Sequence, residues 1–163
     1  MILRNQIEWA LHCVSLLAVL PEGKRLATRD LAQFHGVPKE YLLKALQSLS
    51  NAGLVDGSIG KSGGYKLAKP ADKITFLDVI TAIEGNKSTF NCTEIRQNSP
   101  CKIPKSAFRK PCQVARVMYQ ADEAWREVLR ETTILDLVKQ VQSEVPEEIL
   151  QENKQWIVER LKS

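Results

Sequence analysis

The side chains best suited to chemistry are four cysteines and one glutamate–histidine pair. Cys92, Cys101 and Cys112 are widely spaced. They lack the C-x-x-C pairs of a zinc ribbon and the tight spacing of ferredoxin clusters. By themselves they are as consistent with core or oxidation-prone cysteines as with metal ligands. Cys13, in the first helical stretch, is interpreted as a packing residue.

Glu8 and His12 lie four residues apart in an otherwise apolar stretch. If this stretch is a helix, the two side chains meet on one face. A carboxylate and an imidazole there need solvent, each other or a metal ion as a partner. The pair alone favours a simple surface contact, and a metal site built from this pair and the distant cysteines is the second interpretation.

Composition limits the class of protein. The 163 residues are 44% hydrophobic and 26% charged, with a net charge of +4, which suits one domain or one domain with an appended element. The charge is consistent with a nucleic-acid partner but is too small to establish one. The apolar run 9–20 is shorter than the ~20 residues of a membrane span. We therefore expect a cytoplasmic protein with no membrane partner and reduced thiols.

Residues 28–69 contain a compact series of helical and β-hairpin patterns. Two short helical patterns flank residues 35–37, with Thr28 expected to cap the first and Pro38 to begin the second. A core-facing stripe follows, and Gly53 is placed to end this second helix. Two β-leaning pieces then bracket the glycine-rich turn 57–64. The stripe consists of Leu42, Ala45, Leu46 and Leu49.

This order predicts a winged helix-turn-helix, mainly α with a small β-hairpin wing. The second helix of such a unit can enter the major groove of DNA. The outward residues of that helix are expected to reach bases or phosphates, and those of the first helix and wing to position the backbone. The expected DNA-binding residues are Thr28, Arg29, Lys39, Tyr41, Lys44, Gln47, Lys61 and Ser62.

The flanking stretches supply the remaining elements. Helices are expected over 3–20, 76–83, 112–131, 133–143 and 146–161, and 85–111 has no periodicity. A loop of that length usually needs a function or a bound group. The helix 112–131 carries a seam that alternates four and three apart, which favours a dimerisation helix over packing on its own domain. The seam is Val114, Met118, Ala121, Trp125 and Val128.

The chain resembles the Rrf-two family of bacterial winged-helix regulators, which includes IscR, NsrR and CymR. The shared pattern is Tyr41-Leu42, Leu46, Leu49, Gly53-Leu54-Val55 and the wing Gly60-Lys61-Ser62-Gly63-Gly64-Tyr65. It continues through ITFLDVITAIEG at 74–85 and TTILDLV at 132–138, and covers roughly residues 1–140. Ile59 stands where many members carry an arginine.

Three pieces resemble a narrower branch, the RsrR-like redox-sensing regulators. They are the stretches EWALHC at 8–13, CTEIRQ at 92–97, and Cys112 with the following Ala115-Arg116 and Met118. The resemblance implies a [2Fe–2S] cluster held by Glu8, His12, Cys92 and Cys112. Cys101 lies between the two cysteine ligands in the sequence and is the alternative ligand. The resemblance also implies that the two pairs can come from different subunits.

The resulting expectation is a homodimeric DNA-binding transcription regulator that senses redox state through this cluster and binds a palindromic operator. It would have a winged-helix domain at 1–85, a cluster loop at 86–111, and a dimerisation helix with C-terminal helices at 112–163. The alternatives are a cluster-free repressor controlled by thiol chemistry or a protein partner, and a small electron-transfer protein. No nucleophile–base set or phosphate loop is present in the sequence, so we expect neither an enzyme nor a small-molecule substrate.

Overall fold

The computed structural model describes residues 3–60 and 63–161. In chain order the elements are helix α1 (Asn5–Ala18), α2 (Thr28–His35), α3 (Lys39–Asn51), strands β1 (Val55–Ser58) and β2 (Gly64–Leu67), and helices α4 (Phe76–Glu84), α5 (Gln113–Glu131), α6 (Ile134–Glu144) and α7 (Glu147–Leu161). The prediction of a mainly helical fold with one small hairpin is confirmed. No helix in the described ranges has the length and apolar character needed to cross a membrane.

The helix-turn-helix is shaped by its turn residues. Gly36 ends α2 in the left-handed conformation, with φ of +63°. Gly53 follows α3 with φ of +69°, and the amides of Gly53 and Leu54 donate to the carbonyls of Ser50 and Leu49. This double closure of the last turn is the Schellman arrangement that glycine permits.

Two predicted helix starts are wrong in detail. Ala27, not Thr28, is the N-cap of α2, and no side chain caps that helix. Thr28 is already helical, so its hydroxyl is not in the capping position. Pro38 is the N-cap of α3 rather than its first residue. Helix α1 is also shorter at both ends than the predicted 3–20.

The predicted stripe of α3 lies at the centre of the core. Leu42, Ala45, Leu46 and Leu49 are all buried. They join buried residues of α1, α2 and α4, and also Ile134 of α6 and Ile157 of α7. One continuous core therefore includes the C-terminal helices, and the proposed division at 85 and 111 remains a prediction.

The hairpin is antiparallel, with Val55 paired to Leu67 and Ser58 to Gly64. An isolated bridge joins Leu26 to Tyr65 and extends the pairing to the segment before α2. A Cβ on Gly64 would lie 2.5 Å from the Leu26 carbonyl oxygen. Only glycine allows this close approach.

Side-chain caps mark the starts of α4, α5 and α6. Thr75 and Asp78 form a reciprocal capping box at α4, and Thr133 and Asp136 form another at α6. The stretch between α4 and α5 contains short 3₁₀ turns at Ile95–Asn98 and Lys105–Phe108. Cys112 is the N-cap of α5.

Candidate functional site

Helix α3 presents a polar face on the side away from the core. Its predicted contact residues Lys39, Tyr41, Lys44 and Gln47 are all exposed. The Lys44 ammonium lies 5.6 Å from the centre of the Tyr41 ring, a cation–π distance. This face can therefore offer cations and hydrogen-bonding groups to a nucleic acid without disturbing the core stripe.

The other predicted DNA-binding residues are placed less uniformly. Arg29 of α2 is exposed and its Nε lies 3.3 Å from Asp30 Oδ1, while Thr28 is half-buried. Lys61 and Ser62 lie outside the described residues. Ile59 at the wing is fully exposed, so an apolar side chain stands where an arginine would reach a groove.

An arginine that the sequence did not indicate braces the wing. Arg25 donates through Nη1 to the Asp56 carbonyl oxygen at 2.7 Å and through Nη2 to Asp56 Oδ2 at 2.6 Å. The pKa of Asp56 is lowered, chiefly by the hydrogen bond from Arg25. The position of β1 is thereby fixed relative to the start of α2.

The cysteine loop is organised around Arg96. Its guanidinium pairs with the Glu94 carboxylate and donates to the carbonyl oxygens of Ala107 at 3.2 Å and Lys110 at 3.1 Å. It also lies 5.3 Å from the centre of the Phe108 ring. One side chain thus ties the first half of the loop to the second.

Cys92 and Cys112 both lie close enough to the Arg96 guanidinium to interact with it electrostatically. The pKa of Arg96 is raised, chiefly by its hydrogen bond to Glu94 and further by the charges of Cys112 and Cys92. Both thiols are half-buried. The Sγ of Cys112 also accepts the backbone N–H of Ala115 at 3.3 Å. Cysteine ligates metals as the thiolate, and the Arg96 cation lies near both sulfur atoms.

The other two cysteines are in contrasting environments. Cys101 is exposed, and its backbone N–H donates to Ser99 Oγ at 3.1 Å. Cys13 is fully buried, and burial raises the pKa of its thiol to about 12. The interpretation of Cys13 as a packing residue is confirmed.

Glu8 and His12 are both exposed on α1. They line a groove of about 340 Å³ whose apolar walls include Leu11, Phe76 and Leu137. Because both side chains are exposed, this groove is open to a second molecule.

The ligand pairs are not assembled within one chain. In the ranges 3–60 and 63–161, no three His, Cys, Asp or Glu side chains are grouped closely enough to hold a metal ion. Each pair nonetheless supplies two donors of the required type, two thiolates in one place and a carboxylate with an imidazole in another. Such a donor set fits a [2Fe–2S] cluster if a second copy of the chain brings the pairs together.

His35 is a neighbour of His12 that the sequence did not indicate. The two rings lie 5.7 Å apart, and His35 is the last residue of α2. Its Nε2 is buried with no hydrogen-bond partner among the described residues. The pKa of His35 is lowered to about 4, mainly by burial and secondarily by His12.

Helix α5 leaves most of its apolar side chains uncovered. Ala115 and Asp122 are its buried residues, whereas Val114, Val117 and Val128 are each about two-thirds exposed. Within the described parts of the chain, the predicted seam is therefore largely uncovered, and only its Trp125 is half-buried. A helix that exposes such a stripe in one chain usually packs against another helix.

The fold and these surfaces define a winged helix-turn-helix DNA-binding protein. The family model described as Rrf2, iron-dependent transcriptional regulator, matches residues 3–140. The chain belongs to the Rrf2 family and is a DNA-binding transcription regulator. The prediction of the family is confirmed at this level.

Solved structures show the same fold. The chain is 27% identical to CymR (YrzC), the global cysteine regulator of B. subtilis, with a TM-score of 0.65 over 85% of this chain and 97% of that one. It is 24% identical to the oxidised form of Staphylococcus aureus CymR, with a TM-score of 0.63 over 85% and 96%. T. potens IscR has a TM-score of 0.67 at 20% identity, over 90% and 93%.

Proposed function

We propose that the protein is a homodimeric, redox-responsive transcription regulator that holds a [2Fe–2S] cluster between subunits. Glu8 and His12 of one protomer and Cys92 and Cys112 of its partner would be the ligands. The observation that carries this proposal is the presence of two ligand pairs in separate places, with Glu8 and His12 on α1 and both cysteines near the Arg96 guanidinium. Cys101 is a weaker choice, because it is exposed and lies outside the group around Arg96.

The proposed dimer is formed through α5. The exposed valines of α5 and Met118 lie along one side of a 19-residue helix, which suits pairing with the same helix of a second copy. Because Cys112 caps this helix, dimerisation through α5 would carry the cysteine pair toward the partner. The site would then be incomplete in a monomer.

Three of the four proposed ligands, Cys92, Cys112 and His12, have a neighbouring group that bears on their role. Cys112 is held by the N–H of Ala115, and Arg96 counters the charge of both thiolates. When bound, a cluster of this kind supplies a one-electron redox change, and histidine ligation raises its potential relative to all-cysteine ligation. His12 lies beside His35 at the end of α2. A displacement of His12 would therefore change a contact with the helix-turn-helix.

The proposed output is a change in DNA affinity. Each α3 would enter a major groove, with half-sites of a palindromic operator about one helical turn (~34 Å) apart. Two dimer geometries would differ in how well their α3 helices match that spacing. A redox signal shifts the population only as far as the two geometries differ in affinity.

Shared ligation is tested by mixing two defective proteins. One carries Glu8→Ala and His12→Ala, and the other carries Cys92→Ser and Cys112→Ser. Reconstituted alone, neither should bind the cluster. A refolded equal mixture should regain about a quarter of the wild-type cluster absorbance, because half of the random dimers contain one complete site out of two. Absorbance no greater than in the separate variants would contradict shared ligation.

A second candidate is a cluster-free regulator controlled by thiol chemistry. The similarity to CymR, described as a global cysteine regulator, and the exposed thiol of Cys101 favour it. In that case DNA affinity should respond to disulfide or persulfide reagents in iron-free protein, and Cys101→Ser should abolish the response. The cluster proposal instead predicts no response to these reagents once the cluster is bound.

A further inference from the structure

The positive charge of the chain is concentrated outside the helix-turn-helix. Residues 86–116, the cysteine loop with the first turn of α5, contain seven basic residues and one acidic residue, a net charge of +6, whereas the whole chain has +4. Residues 1–85 have ten basic and eight acidic residues, and residues 117–163 have six and ten. The stretch 86–116, called the basic segment below, therefore carries more net charge than the helix-turn-helix and its wing.

Most cations of the basic segment have no counter-charge. Its one carboxylate, Glu94, pairs with the half-buried Arg96. The other six cations are exposed, and no ion pair within residues 3–60 and 63–161 includes them. Like charges held together in this way attract an anion from outside the chain. The six are Lys87, Lys102, Lys105, Arg109, Lys110 and Arg116.

Arg96 gives this charged surface a fixed backbone. Its guanidinium donates to the carbonyl oxygens of Ala107 at 3.2 Å and Lys110 at 3.1 Å. The chain that carries Lys105, Arg109 and Lys110 is thereby held in place, while the side chains of these three residues make no described hydrogen bond. A partner would therefore order only side chains on binding, which costs less than ordering a flexible loop.

The basic segment leaves the core close to the start of α3. Just before it, Glu84 at the end of α4 accepts the Arg4 amide at 3.3 Å, and its other carboxylate oxygen lies 3.0 Å from Arg4 Nη2. Two residues after Arg4, Gln6 Nε2 donates to the Tyr41 carbonyl oxygen at 3.5 Å. Tyr41 is exposed on α3. The segment thus begins only a few side-chain contacts away from the face that α3 would present to DNA.

The end of the basic segment lies on a projecting part of α5. The start of the loop is anchored to this helix where Thr89 donates to Asp122. Nine residues of α5 precede Asp122 and extend for roughly 14 Å, and of these nine Ala115 alone is buried. The cations near Cys112 are therefore carried outward from the core, where a large partner can reach them.

We propose that the basic segment is a second DNA-contacting surface, which binds backbone phosphates beside those reached by α3. Duplex DNA presents about one negative charge per 1.7 Å, so several cations of the segment can be neutralised together. Lysines on an irregular loop do not enter a groove as a helix does, and phosphate contacts of this kind position the protein without reading sequence. This surface requires the DNA-binding function proposed above but not the cluster.

Two triple variants of the full-length protein test the assignment, with binding to a duplex selected in vitro measured by fluorescence anisotropy between 50 and 200 mM salt. The segment variant carries Lys102→Gln, Lys105→Gln and Lys110→Gln. None of these side chains makes a described contact, so the fold is kept. The control variant makes the same change in net charge at exposed lysines elsewhere, namely Lys73→Gln, Lys139→Gln and Lys154→Gln.

The segment variant should lower the slope of log K against log salt by about 2 to 4, as for one or two lost phosphate contacts in each protomer of a dimer. Its affinity at 150 mM salt should fall about tenfold to hundredfold. The ratio of affinities for the selected and a scrambled duplex should stay within twofold, because phosphates carry no sequence information. The control variant should change the slope by less than about 1.

Equal slopes in the segment variant and the wild type would overturn the assignment and leave the basic segment to an acidic protein partner. An equal fall in both triple variants would also overturn it, because overall charge would then explain the effect. Lys44→Ala distinguishes this surface from the function of α3. If Lys44→Ala lowers the slope and the segment variant does not, the α3 interface stands and the second surface fails. A wild type that binds no duplex would overturn both.

Discussion

The Thr89 hydroxyl donates a 2.7 Å hydrogen bond to Asp122 Oδ1, and this contact joins the start of the cysteine loop to the long helix. The Thr89 amide donates to the same oxygen at 3.2 Å. Arg126 donates to Asp122 Oδ2 at 3.0 Å and also to Asn86 Oδ1 and the Lys87 carbonyl oxygen. Cys92 follows this anchored segment, so the network sets where the first cysteine of the loop can lie.

Replacement of Asp122 by asparagine should loosen this anchor. The side chain loses its charge. The half-buried guanidinium of Arg126 then has a neutral amide, a weaker acceptor, as its partner. We expect a loss of roughly 1–3 kcal/mol in the free energy of unfolding, as for other buried donors that lose their acceptor. Urea denaturation at neutral pH measures it. Asp72→Asn, at an exposed pair with Lys73, is the control and should change stability by only a few tenths of a kcal/mol.

The same variant has a defined pH dependence. The pKa of Asp122 is lowered from its ordinary value of 3.8, first by the Thr89 hydroxyl and then by Arg126. A lowered pKa in the folded state means that the stabilisation is present above pH 3.8 and is lost as pH falls through the folded-state pKa. The stability difference between wild type and Asp122→Asn should therefore shrink in acid. A difference that grows below pH 4 would contradict the assigned contacts.

Arg96→Ala should open the cysteine loop. The variant loses hydrogen bonds to the carbonyl oxygens of Ala107 and Lys110 and the pairing with Glu94. Because two backbone contacts across the loop disappear, we expect trypsin to cleave at Lys102 and Lys105 roughly tenfold faster in cluster-free protein. Peptide mass analysis gives the rates. Arg109→Ala, a change at a neighbouring loop arginine, should leave them within twofold, and an equal effect of both variants would refute the role of Arg96.

Lys44→Ala should weaken DNA binding uniformly across sequences. Lys44 is an exposed cation on the outer face of α3, and loss of one phosphate contact lowers the slope of log K against log salt by about 1. Fluorescence anisotropy with a duplex recovered by in vitro selection measures the slope between 50 and 200 mM salt. Lys139→Ala on α6 is the matched control. An unchanged slope for Lys44→Ala would remove this residue from the interface.

Val117→Glu should produce a monomer. The substitution places a charge in the middle of the exposed apolar side of α5, where a partner helix would have to bury it. Sedimentation velocity reports the mass. Ile59→Glu makes the same kind of change at the fully exposed wing residue and should leave the dimer intact. Dimers in both variants would show that the exposed apolar side of α5 is not the dimer interface.

Local patterns in the sequence predicted the fold well. The stripe of α3 and the glycine that ends α3 depend on neighbours within a few residues, so short-range chemistry is enough to predict them. The wrong N-cap prediction at Thr28 is also a local error, of one residue. Threonine suits an N-cap, but Ala27 occupies that place because the preceding residue Leu26 pairs with Tyr65 of the wing.

The supporting contacts of the site were not predictable in the same way. Arg96 reaches carbonyls eleven and fourteen residues away, and Asp122 reaches Thr89 across 33 residues. Such pairings depend on the tertiary path of an aperiodic loop, for which sequence periodicity carries no signal. An arginine two residues after Glu94, inside the motif CTEIRQ, was the available hint for Arg96. The pairing of His12 with His35 had no comparable hint.

The central claim is a cluster ligated by Glu8, His12, Cys92 and Cys112, and iron and acid-labile sulfide per chain test it most directly. Protein purified anaerobically should be red-brown, with about two irons and two sulfides per chain. His12→Ala should shift the visible spectrum, and Cys101→Ser should leave spectrum and counts unchanged. A colourless, iron-free protein that still dimerises and binds DNA would contradict the claim and favour regulation by thiol chemistry.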